Sequence, residues 1–101
     1  MPDAAGMSPR ETGLVAISPN PFNPATTIAY AVAAPTRLEL KVYDVSGRLV
    51  RTLVSGVVAP GEHAVVFDGR NAGGDRLASG IYFLRFDTPE RTQVRQLTLV
   101  K

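Results

Sequence analysis

The sequence predicts an all-β chain, and three observations carry that prediction. Short apolar stretches alternate with polar residues at a period of two. Clusters of Gly, Pro, Asn and Asp separate them at regular intervals. No window holds a convincing helical period. Val50, Leu53, Val54 and Val57 fit helical spacing, but their β-branched content and Gly56 argue against a helix.

The elements follow in order. Residues 1–13 are polar and carry Pro2, Gly6 and Pro9, so they read as a flexible linker or tail. Leu14–Ile17 is a short first strand, stopped by Pro19. Ser18 to Thr27 reads Ser-Pro-Asn-Pro-Phe-Asn-Pro-Ala-Thr-Thr, with Pro19, Pro21 and Pro24 inside six residues. Each proline holds φ at about −65° and biases the residue before it toward extended backbone. Neither a helix nor a central strand runs through such a segment. It predicts a stiff corner with Phe22 buried, and Asn20 and Asn23 able to close Asx-turns.

Thr26–Val32 alternates, with Ile28, Tyr30 and Val32 on one face, and Pro35 breaks it. Arg37–Tyr43 alternates more clearly: Leu38, Leu40 and Val42 point inward, Arg37, Glu39 and Lys41 toward water. Asp44–Gly47 is a turn in which Gly47 takes positive φ, and Leu49–Val54 returns as the second arm of a hairpin. After a turn at Ala59-Pro60-Gly61, His63–Phe67 is a strand with Val65 and Phe67 inward. Asp68–Gly80 is a long loop, Ile81–Phe86 an aromatic-rich central strand, and Asp87–Glu90 a turn. Thr92–Val100 is the last strand. Seven short strands predict an antiparallel β-sandwich of the Ig-like or fibronectin-like kind, spanning residues 14–101. A Cys-Trp-Cys core is absent, so the core rests on Leu and Val with Phe22, Leu40, Val42, Phe67 and Tyr82.

Composition bounds the function. A chain of 101 residues is one domain and buries roughly 60–70% of its unfolded surface without staples. It has no cysteine, which removes disulfides and thiolate metal sites. Eleven basic and nine acidic residues leave a net charge of +2 with no long block of one sign, which argues against nucleic acid as a partner. No apolar run approaches the roughly 20 residues of a membrane-spanning helix. Met1–Gly6 lacks the apolar centre of a signal peptide. If the chain belongs to an exported protein, we expect it to be cut from a larger one, with Met1 supplied by expression. The alternative is an intact short protein that stays inside the cell.

Catalytic constellations are missing from the pattern. His63 is the sole histidine, and there is no Gly-x-Ser-x-Gly elbow, so we expect a structural or surface role for it and no enzymatic activity. Asp68, Asn71 and Asp75 lie close enough to suggest oxygen ligands for calcium, but their spacing is not that of an EF-hand. The simpler expectation is a set of Asx-turns with Gly69, Gly73 and Gly74 at positive φ, and no cofactor. Glu39, Glu62 and Glu90 are scattered, and Arg48, Arg51, Arg85, Arg91 and Arg95 are candidates for an exposed basic stripe.

Four motifs in order carry a resemblance: Pro19-Asn20-Pro21-Phe22, then Val42-Tyr43-Asp44-Val45-Ser46-Gly47-Arg48, then Phe67-Asp68-Gly69-Arg70-Asn71, then Ala78-Ser79-Gly80-Ile81-Tyr82-Phe83. Over about residues 14–101 the chain resembles the type A C-terminal sorting domains of the type IX secretion system, and equally the related Ig-like domain of flagellar hook-capping proteins. Phe67 stands where those domains often carry Trp. The resemblance implies a non-catalytic module that directs an exported bacterial protein through the periplasm, across the outer membrane and to the cell surface. Its partners are then an outer-membrane translocon with its peptidase, and the cargo domains N-terminal to it. The residues implied to carry the sorting signal are Gly80, Tyr82, Arg95, Leu97, Leu99, Val100 and Lys101, with Pro19, Asn20, Pro21 and Phe22 as structural support. The last strand is expected to offer a free edge to a receptor, and self-association through sheet edges is open. Two alternatives are a structural module of an extracellular filament and an accessory binding module of a secreted hydrolase.

Overall fold

The computed structural model describes residues 9–101. Most of the expected tail, residues 1–8, lies outside the described residues. Seven strands form two antiparallel sheets. β1 (Gly13–Ser18), β2 (Thr26–Val32) and β5 (Gly61–Phe67) make a three-stranded sheet in the order β1-β2-β5. β3 (Thr36–Asp44), β4 (Leu49–Val58), β6 (Gly80–Asp87) and β7 (Thr92–Leu99) make a four-stranded sheet in the order β4-β3-β6-β7. The chain is an Ig-like β-sandwich.

Alternation sets what lies between the sheets. Ile28, Tyr30 and Val32 of β2 face Leu38, Leu40 and Val42 of β3, with Leu84, Phe86 and Leu97 beside them, all buried. Phe22 and Phe67 plug one end, their ring centroids 5.7 Å apart at 54°. Tyr30 packs tilted on Phe86 at 5.9 Å and stacked on His63 at 5.3 Å. His63 Nε2 lies 2.9 Å from the Ala59 carbonyl oxygen, so the imidazole braces the β4–β5 crossing. Val65 is only half-buried because β5 is an edge strand.

Three local expectations are corrected. β4 runs on to Val58 and β5 begins at Gly61, which takes φ +134°, so the turn shrinks to Ala59-Pro60. The cause is topological: β4 and β5 belong to different sheets, and both strands persist until the chain crosses between them. β4 also carries two irregularities against β3, a bulging that discourages edge-to-edge pairing. In the long loop Gly69 (φ +75°) and Gly74 (φ +89°) take positive φ, but Gly73 does not. It sits inside an Asx-turn in which Asn71 Oδ1 accepts the Gly73 and Asp75 N–H groups at 2.9 and 3.0 Å.

Four of the five arginines of the expected basic stripe are engaged separately. Arg51 binds Asp68 at 2.9 Å and Arg85 binds Asp87 at 2.8 Å. Arg91 donates to the Thr12 carbonyl at 3.0 Å, and Arg95 to the Val94 carbonyl at 3.2 Å. Glu39 pairs with Lys41 at 2.6 Å, two residues along β3 on its outer face.

Two turn carboxylates are held below the ordinary aspartate range. Asp44 Oδ1 accepts from Ser46 Oγ at 2.6 Å and from the Arg48 and Ser46 N–H groups at 3.0 and 2.9 Å, which favours the ionised form. Burial pushes Asp68 up. The Arg70 N–H and the Arg51 guanidinium outweigh it, and the net shift is downward.

Two predictions follow from the packing and the turns. Phe67→Ala should cost about 3–5 kcal/mol in chemical denaturation, because it opens a cavity under Phe22. Val57→Ala, on a side chain 73% exposed, should stay within about 0.5 kcal/mol of the parent. Depressed folded-state carboxylates contribute stability above their unfolded value of about 3.9 and lose it as pH falls through the lower folded value. Stability should therefore decline in acid below about pH 4. The decline should be shallower in Asp44→Asn and Asp68→Asn, as measured by denaturation from pH 7 to pH 2.

Candidate functional site

Six of the seven residues expected to carry the signal gather at the end of the sandwich where β7 finishes and β6 begins, whereas Arg95 lies mid-strand opposite Leu84. Gly80 pairs with Leu99 and Tyr82 with Leu97 across the β6–β7 ladder. Leu97 and Leu99 are core residues, 0% and 5% exposed. Arg95, Val100 and Lys101 are exposed, and Val100 lies just past the strand end. Gly80 takes φ +152° at the start of β6.

Tyr82 is buried, and its hydroxyl donates to the Ala78 carbonyl at 2.7 Å. A tyrosine near the start of its strand, tied back to backbone a few residues upstream, is the tyrosine corner of Greek-key sandwiches. Burial, then the Asp44 charge, raises the pKa of this phenol, which keeps it protonated as a donor. Its side chain thus shapes the loop entering β6 rather than presenting itself at the surface.

The proline-rich segment does more than turn a corner. It lies along the outer edge of β7 as a short parallel partner. The Phe22 N–H donates to the Thr98 carbonyl at 2.8 Å, and the Val100 N–H donates to the Phe22 carbonyl at 2.9 Å. Asn20 extends the pairing with its side chain: Nδ2 donates to the Gln96 carbonyl at 2.9 Å and Oδ1 accepts the Thr98 N–H at 3.0 Å. Its primary amide thereby does what a peptide group of a further strand residue would do. Thr26, almost fully buried, donates through Oγ1 to the Pro19 carbonyl at 2.7 Å and anchors the start of the segment. The peptide bonds preceding Pro19, Pro21 and Pro24 are cis.

The expectation of a free terminal edge is therefore corrected for residues 96–100, which the chain's own Asn20 and Phe22 already pair. At the other end of β7, Gln93 Oε1 accepts the Leu14 N–H at 2.7 Å, joining the strand to the opposite sheet. By its local sequence Asn20 reads as an Asx-turn former, and no local signal marks Thr26 or Gln93. Their partners stand 76 and 78 residues away for Asn20 and 79 for Gln93.

The Asp68–Asp75 loop uses its oxygens internally. Asp68 Oδ1 takes the Arg70 N–H and Arg51 Nη1, and Asn71 Oδ1 takes two N–H groups. Among the described residues no group of three or more His, Cys, Asp or Glu is placed to hold a metal ion. Gly69 is fixed by space as well as by φ: a Cβ there would stand 2.7 Å from the Pro24 carbonyl oxygen.

Residues 23–88 match the FlgD Ig-like domain. The chain belongs to the FlgD Ig-like domain family. The match covers β2 to β6 and leaves out β1, Asn20, Phe22 and β7. No curated protein matches the chain. Among solved structures it is similar to part of PorZ, an essential bacterial surface component of the type-IX secretion system of Porphyromonas gingivalis. That likeness has 25% identity and a TM-score of 0.63, over 88% of this chain and 12% of PorZ. It is also similar in fold to part of dimeric latent PorU of the same organism, with 18% identity and a TM-score of 0.71 over 94% of this chain and 10% of PorU. The chain thus spans about a tenth of the length of each.

The clamp makes a specific prediction. Asn20→Ala removes two hydrogen bonds to β7 and should lower stability by about 1–2 kcal/mol. Asn23→Ala, which breaks no side-chain hydrogen bond among the described residues, should be nearly neutral. Urea denaturation of the two variants side by side checks the difference.

Proposed function

We propose that this domain is a non-catalytic C-terminal sorting module. It directs an exported bacterial protein across the outer membrane through a type IX secretion system and on to the cell surface or medium. The observation that supports this best is the 25% identity to a segment of PorZ over 88% of the chain, alongside the family match. The order of the sequence motifs points the same way. The proposed partners are the outer-membrane translocon, its peptidase and the cargo domains ahead of Gly13.

The clamp changes what a receptor is proposed to read. Backbone addition along residues 96–100 is blocked by Asn20 and Phe22, so recognition falls to exposed side chains on a rigid frame: Arg95, Val100 and Lys101. Leu97, Leu99 and Tyr82 act by holding that frame. Absence of catalysis is part of the proposal, since the one histidine is engaged with Ala59 and Tyr30. The FlgD family match also supports a second reading, a structural module of a surface appendage.

Export of a reporter tests the sorting role. A signal peptide, a reporter and residues 9–101 are fused and expressed in a type IX-competent host. The reporter should reach the surface or medium with the parent domain. It should stay in the periplasm with Arg95→Glu plus Lys101→Glu, surface changes expected to leave the melting temperature nearly unchanged. Deleting residues 97–101 should also block export, though it removes two core leucines as well. Export of the folded double variant at the parent level contradicts sorting by this end. Concentration-dependent association of the isolated domain in sedimentation then favours the appendage module.

A further inference from the structure

We infer that the cleft between the proline-rich corner and the Asp68–Leu77 loop is a binding site for an extended acidic peptide segment carrying an apolar side chain. The inference stands apart from the sorting role and needs only the charge and shape of the cleft.

The cleft has a volume of about 230 Å³. That is below the roughly 300–1,000 Å³ of a pocket that encloses a drug-sized ligand, and suits a side chain or two. Its rim carries Arg70, Arg76 and Lys101. Its floor is apolar, from Pro24, Leu77 and Leu99. The one carboxylate on the rim, Asp68, is neutralised from behind by Arg51 at 2.9 Å and by the Arg70 N–H at 3.1 Å. The side chains of the cleft therefore include three cations, Arg70, Arg76 and Lys101, and the single side-chain carboxylate among them is already paired.

Two details make this more than a chance gathering of surface charge. Arg70 and Arg76 face each other directly across an antiparallel bridge, an arrangement of like charges that costs stability in a sheet. Among the described residues neither forms an ion pair with an acidic side chain. Arg70 Nη1 reaches only the Gly74 carbonyl, at 2.9 Å. The loop is also held rigid: the Leu77 N–H donates to the Gly69 carbonyl at 2.9 Å, and the Asn71 N–H to the Asp75 carbonyl at 2.9 Å. The backbone that carries Arg70 and Arg76 is thus in place before any ligand arrives, which reduces the entropy cost of binding.

The choice of ligand follows from rim and floor together. Guanidinium groups present planar forks that match carboxylate and phosphate alike. A bare phosphate or a phosphorylated headgroup leaves the Pro24, Leu77 and Leu99 floor uncovered. A peptide with alternating acidic and apolar residues covers the floor with one side chain and meets the rim with its neighbours.

The probe is the blocked tetrapeptide acetyl-Leu-Glu-Leu-Asp-amide, titrated into the ¹⁵N-labelled chain. Saturable shifts are expected at Gly69, Leu77, Ser79 and Lys101, weakening as salt is raised. Arg76→Gln should reduce affinity roughly tenfold, the scale of one charge-assisted hydrogen bond. Arg76 is exposed and its side chain makes no hydrogen bond among the described residues, so the variant should melt like the parent. Arg37→Gln, the same charge change at the opposite end of β3, should bind as the parent does. The inference is overturned by equal weakening in both variants, or by equal binding of acetyl-Leu-Gln-Leu-Asn-amide. It is also overturned by no shift at about 10 mM peptide, a Kd too weak to matter. Tighter binding of inorganic phosphate, or of vesicles containing an anionic phospholipid, at the same residues likewise overturns it.

Discussion

The structure depends on one pairing: the proline-rich corner laid against the last strand. β1 and β7 are the edges of two different sheets on the same side of the sandwich, and the corner leaves β1 and returns along β7. Its backbone and the Asn20 amide satisfy three successive outward-facing positions, Gln96, Thr98 and Val100. The same few residues insert Phe22, 1% exposed, into the core against Phe67. Edge closure and core filling are thus coupled in one segment. Proline suits this task because a segment poor in N–H donors has few to leave unsatisfied, and its fixed φ reduces the entropy lost on ordering.

That coupling explains how the other features fit around it. Gly69 must lack a side chain because the corner passes close by at the Pro24 carbonyl. Thr26 is buried where the corner hands over to β2 and spends its hydroxyl on the Pro19 carbonyl. Tyr82 fixes the loop on the other flank of the same end through Ala78. No buried side-chain polar atom among the described residues is left without a partner. The surface ion pairs contribute little beside this, because solvent and salt screen a pair such as Glu39–Lys41 on the outer face of β3.

The strands are legible in the sequence because period-two alternation is a local signal. Ile28, Tyr30 and Val32, or Leu38, Leu40 and Val42, declare their inward face without reference to any partner. Turn chemistry is legible for the same reason: Asp44 and Gly47 close their hairpin within a few residues. Asn20 is different. Locally it is one more turn-forming residue, and only the meeting of chain segments 76 and 78 residues apart reveals it as a surrogate strand residue. The candidate site was legible in place but less so in role. The structure brings Gly80, Tyr82, Leu97 and Leu99 together, yet three of those four are buried. A motif carried over by resemblance does not separate residues that shape a surface from residues that present it.

Native-state hydrogen exchange on the β7 amides tests the clamp most directly. Thr98 and Val100 are bonded to Asn20 and Phe22, whereas Val94, on the same edge by the period of two, lies beyond their reach. The account predicts strong protection at Thr98 and Val100, fast exchange at Val94, and loss of the Thr98 protection in Asn20→Ala. Exchange at Thr98 and Val100 as fast as at Val94 in the parent protein would contradict it.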